Sequence, residues 1–230
     1  MNQSKSIVLL SSGLDSTVNL FLAHKQSKVV QTITFNYGQR AANKEIEKSQ
    51  ALSKFLNIPH IVVDLPWLKN LGGSALTDHA QKIPTGVDVS ITDHNVSVRT
   101  AKSVWVPNRN GVFLNIAASF AEILEADQII PGFNLEEALT FPDNSEDYMK
   151  AVTAAFHFST SNQVKVISYT VKMQKSEIMK IAVQEKVPLK KLWPCYFNFD
   201  QWCGECESCL RTKRALIQNN INAEDFFTGA

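Results

Sequence analysis

Ser11-Ser12-Gly13-Leu14-Asp15-Ser16 is the stretch that decides the fold. It follows an apolar run, Ser6 to Leu10, and opens a segment of helical period, Ser16 to Gln26. In that position small residues let the backbone approach an anion, the helix N-terminus supplies unsatisfied N–H donors and a partial positive charge, and Ser16 adds a hydroxyl. The combination suits a pyrophosphate. Asp15 sharpens the reading, because a carboxylate beside phosphates is repulsive unless it caps the helix or holds Mg²⁺. An ordinary strand-to-helix turn, with Ser and Asp as N-caps, is the other reading of the same string.

Working outward, strands are expected at Val29 to Phe35, His60 to Asp64, Ser103 to Val106, Gln128 to Pro131 and Val164 to Tyr169. Lys44 to Phe55 reads as helix, and Phe113, Ile116, Ala117, Phe120, Ile123 and Leu124 recur at the spacing of a core-facing helical stripe. Alternating strand and helix predicts an α/β fold, a doubly wound parallel sheet with its ligand crevice at the C-terminal strand ends near the first βα turn. Ile7 to Leu10 shows little alternation, as a central strand covered on both faces should. Leu71 to Thr100, with Gly72, Gly73, Pro84 and Gly86, breaks the rhythm and is expected to be an insertion or lid that moves when no ligand is bound. The chain closes on a helix expected from Cys206 to Asn219.

Composition narrows the function classes. Lys plus Arg number 23 and Asp plus Glu 22, a formal charge of +1, so no global field favours a nucleic-acid polymer or a membrane; a local basic groove remains open. The apolar run Ile7-Val8-Leu9-Leu10 is too short for a secretory signal, and no window approaches the ~18 apolar residues of a membrane span. A soluble cytoplasmic protein is expected. In that reducing setting the four cysteines, all between Cys195 and Cys209, read as metal ligands rather than disulfides. Cys195-x7-Cys203-x2-Cys206-x2-Cys209 supplies four thiolates for a closed, structural Zn²⁺ site, with an iron–sulfur cluster as the competing metal and free buried thiols as the plain alternative. Trp193, Phe199 and Trp202 are expected to form its apolar surround. The five histidines are scattered and read as structural or exposed.

The loop Ser-x-Gly-x-Asp-Ser after the first strand resembles the signature of the PP-loop ATP pyrophosphatases, which cleave ATP between its α and β phosphates and adenylate a substrate oxygen. Their usual form has Gly at the position of Ser12, and Ser fits there if its φ is negative. Further pieces in collinear order are Thr34-Phe-Asn-Tyr-Gly-Gln-Arg40, Val106-Pro-Asn-Arg-Asn110, Gly132-Phe133-Asn134, Phe141-Pro142-Asp143, Lys175-Ser176-Glu177-Ile178 and the segment Trp193 to Arg211. Together they resemble the 7-cyano-7-deazaguanine synthase (QueC) family of queuosine biosynthesis over nearly the whole chain. The expected division is an adenine nucleotide alpha-hydrolase-like PP-loop domain over 1–187, with 71–100 as an insertion or lid, and a zinc-binding segment with the final helix over 188–230. ATP would activate 7-carboxy-7-deazaguanine, ammonia would displace AMP to give an amide, and a second activation would remove the amide oxygen to give the nitrile. A homodimer is implied.

Roles follow from charge read alongside that resemblance. Leu10, Ser11, Ser12, Gly13, Leu14, Asp15, Ser16 and Thr17 are expected to hold ATP, with Mg²⁺ bridging its phosphates; Asp15, Ser16, Arg109 and Lys175 are the catalytic candidates. Arg40, Arg109 and Lys175 are the cations available for phosphate or carboxylate, each with a solvated charge as the alternative. The base site is expected from Tyr37, Arg40, Asn110, Asn134, Glu137, Phe141 and Asp143, with Asp143 accepting two parallel N–H bonds from the guanine-like ring or else capping a helix. The stretch after Asn134 departs from the family pattern: Glu137 stands for Asp, Leu139 for Ser, Phe141 for Tyr and Asn144-Ser145 for Cys-Arg. Since polar contacts decide specificity, a divergent enzyme that stops at the amide, or hands the acyl group to a peptide or protein amine, is a second expectation. A sulfur-transfer or tRNA-modifying relative and a non-catalytic nucleotide-binding zinc module complete the alternatives.

Overall fold

A computed structural model describes residues 3–227; the outermost ends of the expected 1–187 and 188–230 units lie outside them. Five parallel strands form one sheet in the order β3-β2-β1-β4-β5: β1 (Lys5–Leu9), β2 (Lys28–Asn36), β3 (His60–Asp64), β4 (Gln128–Ile130) and β5 (Lys165–Val166). β1 lies at the centre because its side chains tolerate complete burial. Ile7 and Val8 are both fully buried, and the two-residue period of a strand sends them into different cores. Each burial is worth roughly 1.5–3 kcal/mol.

Val8 joins the core made with α1 (Leu14–Gln26), α2 (Ala42–Phe55), α8 (Lys175–Gln184) and α9 (Glu207–Gln218). Ile7 joins the opposite core, beneath α5 (Arg109–Ile123) and α7 (Glu146–Ser159). The remaining helices are short α3 (Pro66–Asn70), α4 (His94–Val104) and α6 (Leu135–Ala138). Strand order reverses between β1 and β4, so a crevice opens at their C-terminal ends. The loop after β4 closes tightly on the start of α1: a Cβ on Gly132 would lie 2.5 Å from the Ser16 nitrogen, so this approach requires glycine.

Two expected strands are corrected. Ser103 to Val106 is not a strand: α4 runs to Val104, started by Asp93, whose side chain accepts the N–H groups of Asn95 and Val96. Val164 to Tyr169 shortens to Lys165–Val166, because the following residues bond elsewhere: the Tyr169 N–H and Ser168 hydroxyl donate to Asn19, and the Thr170 hydroxyl to the Phe133 carbonyl. The 71–100 segment carries buried Ser74, Ala75, Leu76, Thr77 and Ile83 and is pinned near its start and at its middle, Ala75 N–H to Ser103 O at 2.8 Å and Gly86 N–H to Glu205 O at 3.1 Å.

Candidate active site

The crevice is a cavity of ≈ 250 Å³ lined by the loop after β1, the end of β2, the starts of α2, α5 and α8, and the chain around Trp193–Tyr196 and Glu207–Arg211. Of the expected ATP-binding loop, Leu10, Ser11, Gly13, Leu14, Asp15 and Ser16 line it. Gly13 is the N-cap of α1 and no side chain caps the helix, leaving its first-turn N–H groups available to an anion. The Ser16 hydroxyl lies 3.2 Å from that of Ser11 and 3.3 Å from the Gly13 carbonyl. Ser12 and Thr17 are fully buried and stand behind the loop. Ser12 departs from the expected geometry: its φ is +59°, the left-handed region that favours glycine, and its hydroxyl donates to the Ser11 carbonyl at 2.6 Å.

Asp15 is not a helix cap. Its carboxylate takes the Lys175 ammonium on Oδ2 while Oδ1 is buried without a partner. Lys175 also reaches Glu137 at 2.9 Å, so one buried ammonium joins the loop, α6 and α8. Burial pushes the Asp15 carboxyl up to about 6 against the opposing pull of Lys175; burial acts the same way on Glu137, but there the ammonium prevails and holds the group below its usual range. The buried, unpartnered Asp15 Oδ1 beside a phosphate loop fits as one oxygen of the all-oxygen donor set of Mg²⁺, whereas Glu137 is taken up by Lys175.

Arg109, at the start of α5, contacts Tyr37 Oη at 3.3 Å, lies over the Tyr37 and Phe113 rings, and among the described residues forms no ion pair. Asn110, Tyr37, Phe141 and Asp143 line the same space, with Phe141 stacked on Trp105. Burial raises the Asp143 carboxyl, with Arg109 pulling it down. Two expected site residues fall elsewhere. Arg40 does not line the cavity; its guanidinium donates to the carbonyls of Ala75, Asp78 and Gln81 and so fastens the 74–81 segment. Asn134 is fully buried, its Oδ1 accepting the Glu137 N–H to start α6 and its amide nitrogen left without a partner.

Several lining groups escaped the sequence reading. Glu45, in the first turn of α2, accepts from Gln39 at 2.9 Å, and burial raises it to about 7. Arg211 pairs with Glu207 at 2.7 Å and with Glu136 at 3.0 Å; Glu136 also receives Arg214 and the Lys175 N–H. Thr100 donates to Glu207 at 2.8 Å. The four-residue spacing of Glu207 and Arg211 on a helix was the one local signal for this network.

The four cysteine sulfurs lie within 4.8 Å of one another, with Cys203 and Cys209 Sγ 3.8 Å apart. Tetrahedral Zn–S bonds of ~2.3 Å place sulfurs about 3.8 Å apart, so the donors fit one zinc ion. An iron–sulfur cluster distributes its thiolates over several irons and needs them further apart. Backbone N–H groups of Phe197, Cys203, Glu205 and Cys206 point at Cys195 or Cys203 sulfur at 3.3–3.5 Å. Trp193 and Trp202 pack buried beside the thiols as expected, whereas Phe199 is 48% exposed and stacks on Phe197. The Trp193 N–H donates to the Ser12 carbonyl at 2.8 Å, tying the cysteine knot to the phosphate loop.

Comparison with known proteins agrees with this geometry. A 7-cyano-7-deazaguanine synthase of Bdellovibrio bacteriovorus is 54% identical over 224 residues, 97% of each chain, and one from Carboxydothermus hydrogenoformans is 50% identical over 92% of this chain and 97% of its own. A solved structure of a predicted tRNA methyltransferase subunit from Methanocaldococcus jannaschii covers 97% of this chain and 92% of its own at a TM-score of 0.50 and 14% identity, a likeness of fold alone. The family model described as queuosine biosynthesis protein QueC matches residues 5–220, and with those relatives it establishes that this chain belongs to the QueC family.

Proposed function

We propose that the protein is an ATP-dependent ligase that adenylates the carboxylate of 7-carboxy-7-deazaguanine and couples it to ammonia, giving the amide and then 7-cyano-7-deazaguanine, with AMP and pyrophosphate released. The observation that carries this reading is an uncapped helix N-terminus and an arginine, Arg109, that among the described residues has no ion-pair partner, facing one cavity. Both await anions.

A carboxylate is a poor acyl donor because oxide is a poor leaving group; once adenylated, AMP leaves instead. In the first step a substrate carboxylate oxygen attacks the α-phosphorus and the bond to the β-phosphate oxygen breaks. The loop N–H groups from Gly13 to Ser16 would receive the departing pyrophosphate, while Lys175 and Arg109 balance the charge that develops on phosphorus. Asp15 would hold Mg²⁺ through its unpartnered Oδ1, and the ion would supply charge neutralisation along the phosphates. Arg109 suits bidentate contact with the substrate carboxylate or α-phosphate, and Asp143, Asn110 and Phe141 would orient the base by N–H acceptance and stacking. The amide oxygen is adenylated in the second round, and loss of AMP with the nitrogen protons leaves the nitrile.

Zinc in the cysteine knot would fix the start of α9 and thereby Glu207 and Arg211. We assign the ATP site to the 1–187 portion and the metal site to the 188–230 portion, although their side chains share one core. Among the described residues no helix is long and apolar enough to cross a membrane; a cytoplasmic homodimer is the proposed form, to be checked by light scattering. The ligase reading is tested by pyrophosphate release. Sustained release with ATP, ammonium and the carboxylated base is expected, and ATP binding without base-dependent release would refute it.

A further inference from the structure

Most carboxylates of the cavity are matched by a cation: Asp15 and Glu137 by Lys175, Glu207 by Arg211. Asp143 forms no ion pair among the described residues, but takes an N–H from Asn144 at 3.1 Å and lies in the field of Arg109. Glu45 is the least compensated. Among the described residues its one donor is Gln39, whose amide is itself immobilised, giving its other N–H to the Phe35 carbonyl at 3.0 Å and accepting the Tyr37 N–H at 2.9 Å. The charged or titratable groups that face Glu45 are Arg109 from α5 and the Tyr37 phenol after β2. On its own helix Lys44 and Lys48 pair with Glu47 instead. A carboxyl with a fixed orientation, one hydrogen-bond donor and an opening to the cavity is built to accept a proton or hold a small cation.

We propose that Glu45 is the base for the incoming nitrogen, taking a proton from ammonium so that free ammonia attacks the acyl adenylate. The assignment rests on the ligase reading above. In the step, ammonium gives one proton to a Glu45 oxygen, the nitrogen lone pair forms the C–N bond, and the C–O bond to AMP breaks. The surplus proton on nitrogen passes to water. Burial supports the role by raising the Glu45 carboxyl to about 7, close to the working pH, where a base is both available and strong enough.

Ammonium and hydroxylamine separate this role from a structural one, since hydroxylamine is uncharged at neutral pH and needs no deprotonation before attack. The holoenzyme and its Glu45→Gln variant are each given ATP, the deazaguanine acid and either nucleophile, and amide and hydroxamate are measured from pH 6 to 9. In the variant, amide formation is expected to fall by about 10²-fold or more, while the hydroxamate-to-amide ratio rises by a similar factor and the ammonium profile loses its inflection near pH 7, rising instead with the fraction of free ammonia across the whole range. An unchanged ratio, whichever way both rates move, overturns the proposal, since it makes Glu45 a binding or packing residue. Absence of both products from the unaltered enzyme would instead overturn the ligase reading, and this assignment with it.

Discussion

Lys175 and Asp15, 160 residues apart in sequence, form a buried ion pair that locks the first turn of α8 against the phosphate loop. Glu137 shares the same ammonium. Removing the cation leaves two carboxylates confronting each other in a low dielectric, and breaking such a pair costs about 3–5 kcal/mol. Lys175→Met is therefore expected to lower the denaturation midpoint strongly and to cut pyrophosphate release by at least ~10²-fold. Adding Asp15→Asn to it should recover part of the stability and none of the turnover. Equal stability of the single and double variants would contradict this pairing.

The left-handed backbone of Ser12 makes an opposite prediction. Ser12→Gly should stabilise the protein by about 1 kcal/mol by relieving the Cβ strain, read as a higher urea midpoint at constant slope. Ser12→Ala keeps that strain and loses the bond from the hydroxyl to Ser11, so it should not stabilise. A gain for alanine equal to that for glycine would mean the hydroxyl, rather than φ, carries the penalty.

These two sites differ in how far the sequence announced them. Strand, loop and first helix were legible because Ile7, Val8 and the Ser-Ser-Gly-Leu-Asp-Ser string are local signals, and the four crowded cysteines needed only their spacing. Ser103 to Val106 misled because its bulky and β-branched residues mimic a strand, while the Asp93 cap that sets α4 in place sits ten residues earlier in a polar segment. Arg40 shares its short motif with Tyr37, yet its side chain turns to the carbonyls of Ala75, Asp78 and Gln81. Glu45 looks like any solvated helix carboxylate until the packing around Gln39 and Tyr37 half-buries it. Such burial is decided by tertiary contacts, which no single stretch encodes.

Burial of Glu45 also sets a pH dependence. Its folded value, about 7, lies above the 4.5 of an unfolded glutamate, so the native state binds the extra proton between those limits. Stability therefore falls as pH rises from about 4.5 to 7 and is flat in this respect above it. Glu45→Gln should be more stable than the parent at pH 8, on the order of 1–2 kcal/mol after allowing for cavity water, with the difference vanishing below pH ~4.5. Thermal melts of both proteins across that range measure it; a difference independent of pH would contradict the burial.

Metal removal should act through α9. The helix begins one residue after Cys206 and carries Glu207 and Arg211 to the cavity wall. Stripping zinc is expected to lower Tm by more than ~10 °C, given that structural zinc contributes of order 10 kcal/mol, and to expose four titratable thiols. Elemental analysis should find one zinc per chain. A metal-free protein with an unchanged Tm would refute a structural role for the knot.

The central claim is tested most directly by the product. With ATP, ¹⁵N-ammonium and 7-carboxy-7-deazaguanine, mass spectrometry should find 7-cyano-7-deazaguanine carrying the labelled nitrogen, with two AMP formed per nitrile. Accumulation of the amide as the end point, or no labelled product at all, would contradict it.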